Sequence, residues 1–166
     1  MNYITIPLNS DHNRSDFSCG NEMLDNYIKK QASQDMKRKL AVVFIIADKE
    51  NNIVGYYTLS NDNIPQTEVP ENIRKKMPAS YSKLPTTLIG RLAVDKKMQG
   101  KNFGKKLLMD ALCRSYEVAE TVSGSIAVVV DPFDKEATEF YNKYGFIEFP
   151  DRKRMFLPMK TIKQLF

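Results

Sequence analysis

Hydrophobic and polar positions change their period several times along this chain, and each change marks an element. Residues 2–7 alternate weakly and read as an edge strand. Gly20 and Asn21 then punctuate the chain ahead of a helix. Asn21 is its cap, Leu24, Tyr27 and Ile28 fall on one face, and it runs to about Gln34. Residues 41–47 are a continuous apolar run rich in Val and Ile, which predicts a buried strand. Residues 48–52 turn the chain, and residues 53–59 return as a second strand of an antiparallel hairpin. Residues 61–85 hold Pro65, Pro70, Pro78 and Pro85, half of the chain's eight prolines. That density predicts a long loop, with one helical turn near residues 71–76, and makes it the candidate for the substrate side of a site.

The second half alternates strand and helix. Residues 86–94 read as the third long strand. Phe103, Leu107, Leu108, Ala111, Leu112 and Tyr116 make the stripe of an amphipathic helix. Residues 125–130 form another apolar strand, and residues 135–144 a short helix stopped by Gly145. Residues 146–149 and 154–157 look like a closing hairpin. A strand–helix–strand–helix unit implies a parallel pair. With the earlier hairpin it predicts an α/β protein built on a mixed sheet, with helices on both faces.

Composition narrows the setting. A chain of 166 residues with no repeat and no linker is expected to be a single domain over 1–166. No apolar run approaches the ~20 residues that cross a bilayer, and the N-terminus lacks the basic and apolar regions of a secretion signal. Cys19 and Cys113 are expected to be reduced thiols in a cytoplasmic protein. The net charge of +5 and pI of about 9.1 suit a polyanionic partner without choosing one. The single histidine, His12, reads as an exposed loop residue, and neither a metal site nor a His-based triad is expected.

The stretch that carries chemistry begins at Arg91. An apolar strand runs into a basic turn containing Gly100 and Gly104, and the turn opens a helix. Such a place can hold an anion on free backbone N–H groups. Gly100 and Gly104 alone fit a plain helix start equally well. Lys96, Lys97, Lys101, Lys105 and Lys106 fit either a solvated face or a phosphate-rich ligand.

Gln99-Gly100-Lys101-Asn102-Phe103-Gly104 resembles the acetyl-CoA loop of the GNAT acetyltransferase superfamily, Gln/Arg-x-x-Gly-x-Gly/Ala. Ala137-Thr138-Glu139-Phe140-Tyr141-Asn142-Lys143-Tyr144-Gly145-Phe146 is similar to its second signature, Ala-x-x-Phe-Tyr-x-x-x-Gly-Phe. The chain departs from the family at Asn102, where glycine is usual. Asn is among the non-glycine residues most tolerant of the left-handed region, so binding is expected to survive.

The resemblance implies the GNAT fold, with a splayed sheet of about six or seven strands, and acetyl-CoA as co-substrate without a metal. It implies that backbone groups of Leu92, Ala93 and Val94 hold the pantetheine arm and polarise the thioester carbonyl. Gln99, Gly100, Lys101, Asn102, Phe103, Gly104 and Lys105 would hold the pyrophosphate, with Phe140 also at the cofactor. Tyr141 would be the donor to the leaving sulfur. A phenol at ~10 against a thiol at ~8.5 makes full ground-state transfer uphill, so Tyr141 acts within the transition state or as a hydrogen-bond donor.

Residues 17–27, Gly55-Tyr56-Tyr57-Thr58-Leu59-Ser60, Gly90-Arg91-Leu92-Ala93-Val94 and Arg154-Met155-Phe156-Leu157-Pro158-Met159 resemble segments of the GNAT toxins of bacterial toxin–antitoxin pairs. That resemblance implies acetylation of the α-amine of aminoacyl-tRNA. It also implies a ribbon–helix–helix antitoxin as partner, and the wider GNAT resemblance a homodimer; Ser60 and Arg91 are candidates for the substrate side. Chemistry points the same way. A lysine amine at ~10.4 needs a base, an α-amine at ~7.7–8.0 is partly neutral already, and strand 86–94 carries no carboxylate. A base borne on a loop by Glu50, Glu68 or Glu71 stays open. Arg91 fits a substrate phosphate or carboxylate, or a structural salt bridge. Lys37-Arg38-Lys39, Arg74-Lys75-Lys76 and Arg152-Lys153-Arg154 are candidate phosphate contacts. The competing readings are a stand-alone GNAT enzyme acting on a small-molecule or protein amine, and a non-catalytic GNAT-fold interaction module.

Overall fold

A computed structural model describes residues 2–150 and 153–166. The strands are β1 (Ile6–Pro7), β2 (Val42–Ala47), β3 (Ile53–Pro65), β4 (Lys83–Val94), β5 (Ala127–Val130), β6 (Ile147–Glu148) and β7 (Met155–Pro158). They form one seven-stranded mixed sheet in the order β1-β2-β3-β4-β5-β7-β6. The β4–β5 pair is parallel, as a helical crossover between them requires, and the pairs β1–β2, β2–β3, β5–β7 and β6–β7 are antiparallel. The helices are α1 (Glu22–Asn26), α2 (Ala32–Lys37), α3 (Glu71–Arg74), α4 (Phe103–Thr121), α5 (Lys135–Lys143) and α6 (Met159–Lys163). A π-helical turn, Tyr27–Gln31, joins α1 to α2.

The chain divides into two compact units, Met1–Ser60 with Gly90–Arg114, and Asn61–Ile89 with Ser115–Phe166. In the first, Leu24, Tyr27, Ile28 and Ala32 bury their helix face against Val43, Ile45, Ile53 and Tyr56. The expected cap is present: the Asn21 side chain accepts from the N–H groups of Met23 and Leu24. A second, polar knot joins the start of the chain to α4. Buried Asp110 accepts from the Ile4 N–H (2.7 Å), the Thr5 hydroxyl (2.6 Å) and the Tyr57 hydroxyl (2.7 Å). Arg114, one turn on, donates to the Tyr57 oxygen at 3.1 Å, with its guanidinium 3.6 Å from the centre of the Tyr3 ring and 4.0 Å from that of Phe44.

In the second unit Ile64, Val69, Leu84, Ala127, Val129, Phe149 and Phe156 make the core. Two expectations change here. Residues 61–85 are not one long loop: β3 continues to Pro65 and β4 begins at Lys83. Asn61, Asp62 and Asn63 favour turns, but buried Ile64 holds the strand on course, and tertiary burial outweighs local propensity. What remains is a short excursion containing α3. It is closed by Gln66, whose backbone N–H donates to Ser82 O and whose side chain donates to the carbonyls of Pro78 and Tyr81. The other change is His12, which is buried in the first unit at 7% exposure. Its Nδ1 accepts from the Asn9 N–H at 3.0 Å and so closes a tight turn. A short-range polar turn put it inside, where segment composition had suggested solvent.

Candidate active site

The strand edge and the turn after it lie in the first unit. The register of β4 with β5 runs from Thr87↔Val128 to Ile89↔Val130, the last residue of β5. Leu92, Ala93 and Val94 therefore fall beyond the end of that pairing, as a splayed strand requires. Gly55 lets the neighbouring backbone come close to this stretch: a Cβ there would sit 2.9 Å from Ala93 O and 2.9 Å from Leu107 Cδ1.

After Val94 the chain makes a 3₁₀ turn (Lys96–Met98) and then the glycine turn into α4. Gly100 has φ +78° and Asn102 φ +65°, both left-handed. Asn102 thus adopts the conformation that its family position favours, and its carbonyl accepts the first α4 bond from the Lys106 N–H at 3.0 Å. Nothing lies within 4 Å of where a Gly100 Cβ would stand. An open left-handed turn ahead of a nineteen-residue helix presents N–H groups that have no intrahelical acceptor, which fits a pyrophosphate. Lys101 and Lys105 are exposed beside it, Phe103 and Gly104 are half-buried, and Lys106 lies over the Phe103 ring at 4.9 Å. Gln99 is engaged elsewhere: its amide donates to Cys19 O (2.8 Å) and Val94 O (3.0 Å).

Sequence reasoning passed over Asp95. It follows strand 86–94 directly, where a carboxylate bears on the question of a base. Its Oδ1 accepts from the Lys97 N–H at 2.9 Å and its Oδ2 from the Ser18 N–H at 3.1 Å, so both oxygens hold backbone. An Asp between a strand and a turn is a capping signal that could have found it.

Arg91 makes a contact that neither sequence reading named. Its guanidinium stacks 3.6 Å from the centre of the Tyr27 ring, and the Tyr27 hydroxyl donates to Asp35 at 2.9 Å. Burial, then the Asp35 hydrogen bond, push the Tyr27 phenol up to about 12. Cys19 is half-buried, and burial with Asp25 beside it holds its thiol up at about 11, so it stays protonated. Ser60 is half-buried at the end of this unit.

The tyrosine lies in the second unit. Asp134 caps α5 through the Ala137 N–H at 2.7 Å, and Gly145, at φ +90°, ends the turn after it. The helix thereby sets Tyr141 between Phe140 and Phe146, each with its ring centre 5.2 Å away. Tyr141 is 8% exposed, and burial pushes its phenol above the ordinary tyrosine value, so it is a proton holder at neutral pH. Phe140 is half-buried and also meets Tyr144. Glu68 and Glu71 are on the short turns of this unit, and Glu50 is in the exposed β2–β3 turn of the first.

Charge is divided unevenly. The first unit carries fourteen Lys and Arg against nine Asp and Glu, and the second eleven against eleven, so the whole +5 belongs to the unit with the glycine turn. Lys37, Arg38 and Lys39 are exposed there, and Arg74, Lys75 and Lys76 are exposed in the neutral unit. The third basic stretch is not a free patch. Arg154 donates to Asp62 (3.0 Å) and, through two nitrogens, to Asp131 (2.8 and 2.9 Å); Arg152 lies outside the described residues. Among the described residues no cluster of His, Cys, Asp and Glu could hold a metal, and no helix is long and apolar enough to cross a membrane.

A transferase that takes its acyl group from a pyrophosphate-bearing carrier is the class these parts define. Residues 10–161 match the acetyltransferase (GNAT) domain, and the chain belongs to that family. A curated relative, the tRNA-acetylating toxin of Mycobacterium tuberculosis, is 32% identical over 150 residues, covering 90% of this chain and 87% of the relative. The solved structure of AtaT complexed with acetyl-methionyl-tRNAfMet is similar with a TM-score of 0.89 at 26% identity, covering 99% of each chain. That of AtaTR bound with AcCoA has a TM-score of 0.83 at 26% identity, covering 97% of this chain and 96% of that one.

Proposed function

We propose that this enzyme transfers acetyl from acetyl-CoA to the α-amine of an aminoacyl-tRNA, and so blocks translation as a toxin. The observation that carries this reading is the likeness over 90% of the chain to a tRNA-acetylating toxin. The fit of the Gly100–Asn102 turn to a pyrophosphate supports the donor. The match running from residue 10 to 161, through both units, supports a single catalytic domain.

Acetyl-CoA supplies an activated thioester. The chain's own residues do the rest. Backbone N–H groups of residues 100–105 bind the diphosphate, with Lys101 and Lys105 adding charge. Backbone groups of Leu92, Ala93 and Val94 orient the pantetheine arm and polarise the carbonyl. Tyr141, kept protonated by burial, donates toward the sulfur as negative charge builds there. The amine needs little help, since an α-amine at ~7.7–8.0 is partly neutral at cellular pH. Asp95, the carboxylate next to β4, is occupied by two N–H groups and is not the base. Charged tRNA places the reaction in the cytoplasm, and a toxin of this kind calls for a ribbon–helix–helix antitoxin.

Incubation with acetyl-CoA and a pool of charged tRNAs, followed by mass spectrometry, tests the reading. N-acetyl-aminoacyl products are the expected result. No product from any tRNA, with acetyl transfer to a small amine intact, would mean a stand-alone acetyltransferase instead.

A further inference from the structure

The glycine turn has a bonded half and an open half. Asp95, Lys96 and Gln99 are bonded to Ser18 and Cys19, in the segment that leads into α1. Ser18 N–H donates to Asp95 Oδ2 at 3.1 Å, and in return the Lys96 N–H donates to Ser18 O at 2.8 Å. The Gln99 amide donates to Cys19 O at 2.8 Å. From the other side, Asp25 in α1 accepts from the Cys19 N–H at 2.8 Å. Gly20, at φ +95°, passes so near that a Cβ would meet Lys96 Cε at 3.2 Å. Asp95 stands at the centre of this clip. It is 8% exposed, both carboxylate oxygens are used, and its own N–H donates to Val54 O at 2.8 Å. The open half begins at Gly100.

We infer that Asp95 is a positioning residue for donor binding: it clips the Ser18–Gly20 segment onto the first half of the turn and so fixes where the N–H groups after Gly100 point. This rests on the reading of that turn as the pyrophosphate site. A flexible turn must be ordered each time a ligand arrives, and that ordering is subtracted from affinity; a turn already held at Asp95, Lys96 and Gln99 avoids most of it. The carboxylate never touches the donor. Its two bonds go to the Lys97 and Ser18 N–H groups and none to Leu92, Ala93 or Val94, so it acts on the diphosphate end and leaves the thioester end unaffected.

The test compares two donors, acetyl-CoA and acetyl-pantetheine, which share the thioester and differ in the diphosphate-bearing nucleotide. Two full-chain variants are used. Asp95→Asn keeps one acceptor and turns an amide N–H toward a backbone N–H. Asp95→Ser keeps an oxygen for the Lys97 N–H but cannot reach Ser18, and it carries the comparison if the first does not fold. Calorimetry should show acetyl-CoA binding weakened on the order of tenfold, with acetyl-pantetheine unchanged. With charged tRNA as acceptor, KM for acetyl-CoA should rise while kcat stays within about threefold. A folded variant that weakens both donors equally, or neither, overturns the inference. If the unaltered enzyme itself binds the two donors equally well, the pyrophosphate reading fails, and the role of Asp95 fails with it.

Discussion

Tyr141 and Asn102 are two candidate site residues, and the surroundings of each make a distinct prediction. Burial raises the Tyr141 phenol, so the group keeps its proton across the whole working range. Tyr141→Phe should lower kcat about a hundredfold, the scale of a lost proton donor, with KM for acetyl-CoA within about twofold. No activity loss attributable to Tyr141 ionisation should appear near pH 10, where an ordinary tyrosine would begin to lose its proton; a Tyr141-dependent limb there would contradict the burial argument. Asn102 sits at φ +65°, a conformation that glycine adopts freely and Asn better than most. Asn102→Gly should therefore leave acetyl-CoA affinity within about twofold, whereas Asn102→Ala should cost about 1 kcal/mol of stability in urea unfolding. The left-handed turn at Asn102 was legible in the chain, because a backbone preference is a local fact. Arg91 was not. Its partner Tyr27 is on a separate helical segment, and a ring is no part of the search for a carboxylate or phosphate partner that a guanidinium invites.

Among elements, long periodic stretches were readable and their joints were not. The α4 stripe, the Asn21 cap, the parallel β4–β5 pair and the closing hairpin came from period and punctuation alone. The π-helical turn did not, and it has a use. Tyr27 and Asp35 are eight residues apart, about 80° out of phase on a straight α-helix; one extra residue in the turn restores two full turns and lets the hydroxyl meet the carboxylate. The continuation of β3 to Pro65 escaped for a similar reason. Its polar residues look like a turn until Ile64 has a core to enter. Elements are also where stability is concentrated. Asp110 ties the chain before β1 to β3 and α4 through three hydrogen bonds. Asp110→Ala removes the acceptor of three donors and the ion-pair partner of Arg114 at 3.7 Å, and denaturant unfolding should show a loss of about 3 kcal/mol. A loss under 1 kcal/mol would mean that the knot is replaceable.

For the whole molecule, the net charge that by composition suits any polyanion has an address. The surplus lies in the unit with Lys37, Arg38 and Lys39, while Arg74, Lys75 and Lys76 sit in a balanced unit and Arg154 is already satisfied. Replacing Lys37 and Lys39 by Gln should weaken tRNA binding and flatten its dependence on salt, by about 0.7–0.9 in the logarithmic slope for each lost phosphate contact. The same change at Lys75 and Lys76 should do less; equal effects would assign the RNA surface to both units. With all the excess charge in one unit, that unit is drawn to an extended polyanion while the balanced unit is not. The pull begins about a Debye length away, some 8 Å in physiological salt, so the choice between units is made before any contact forms.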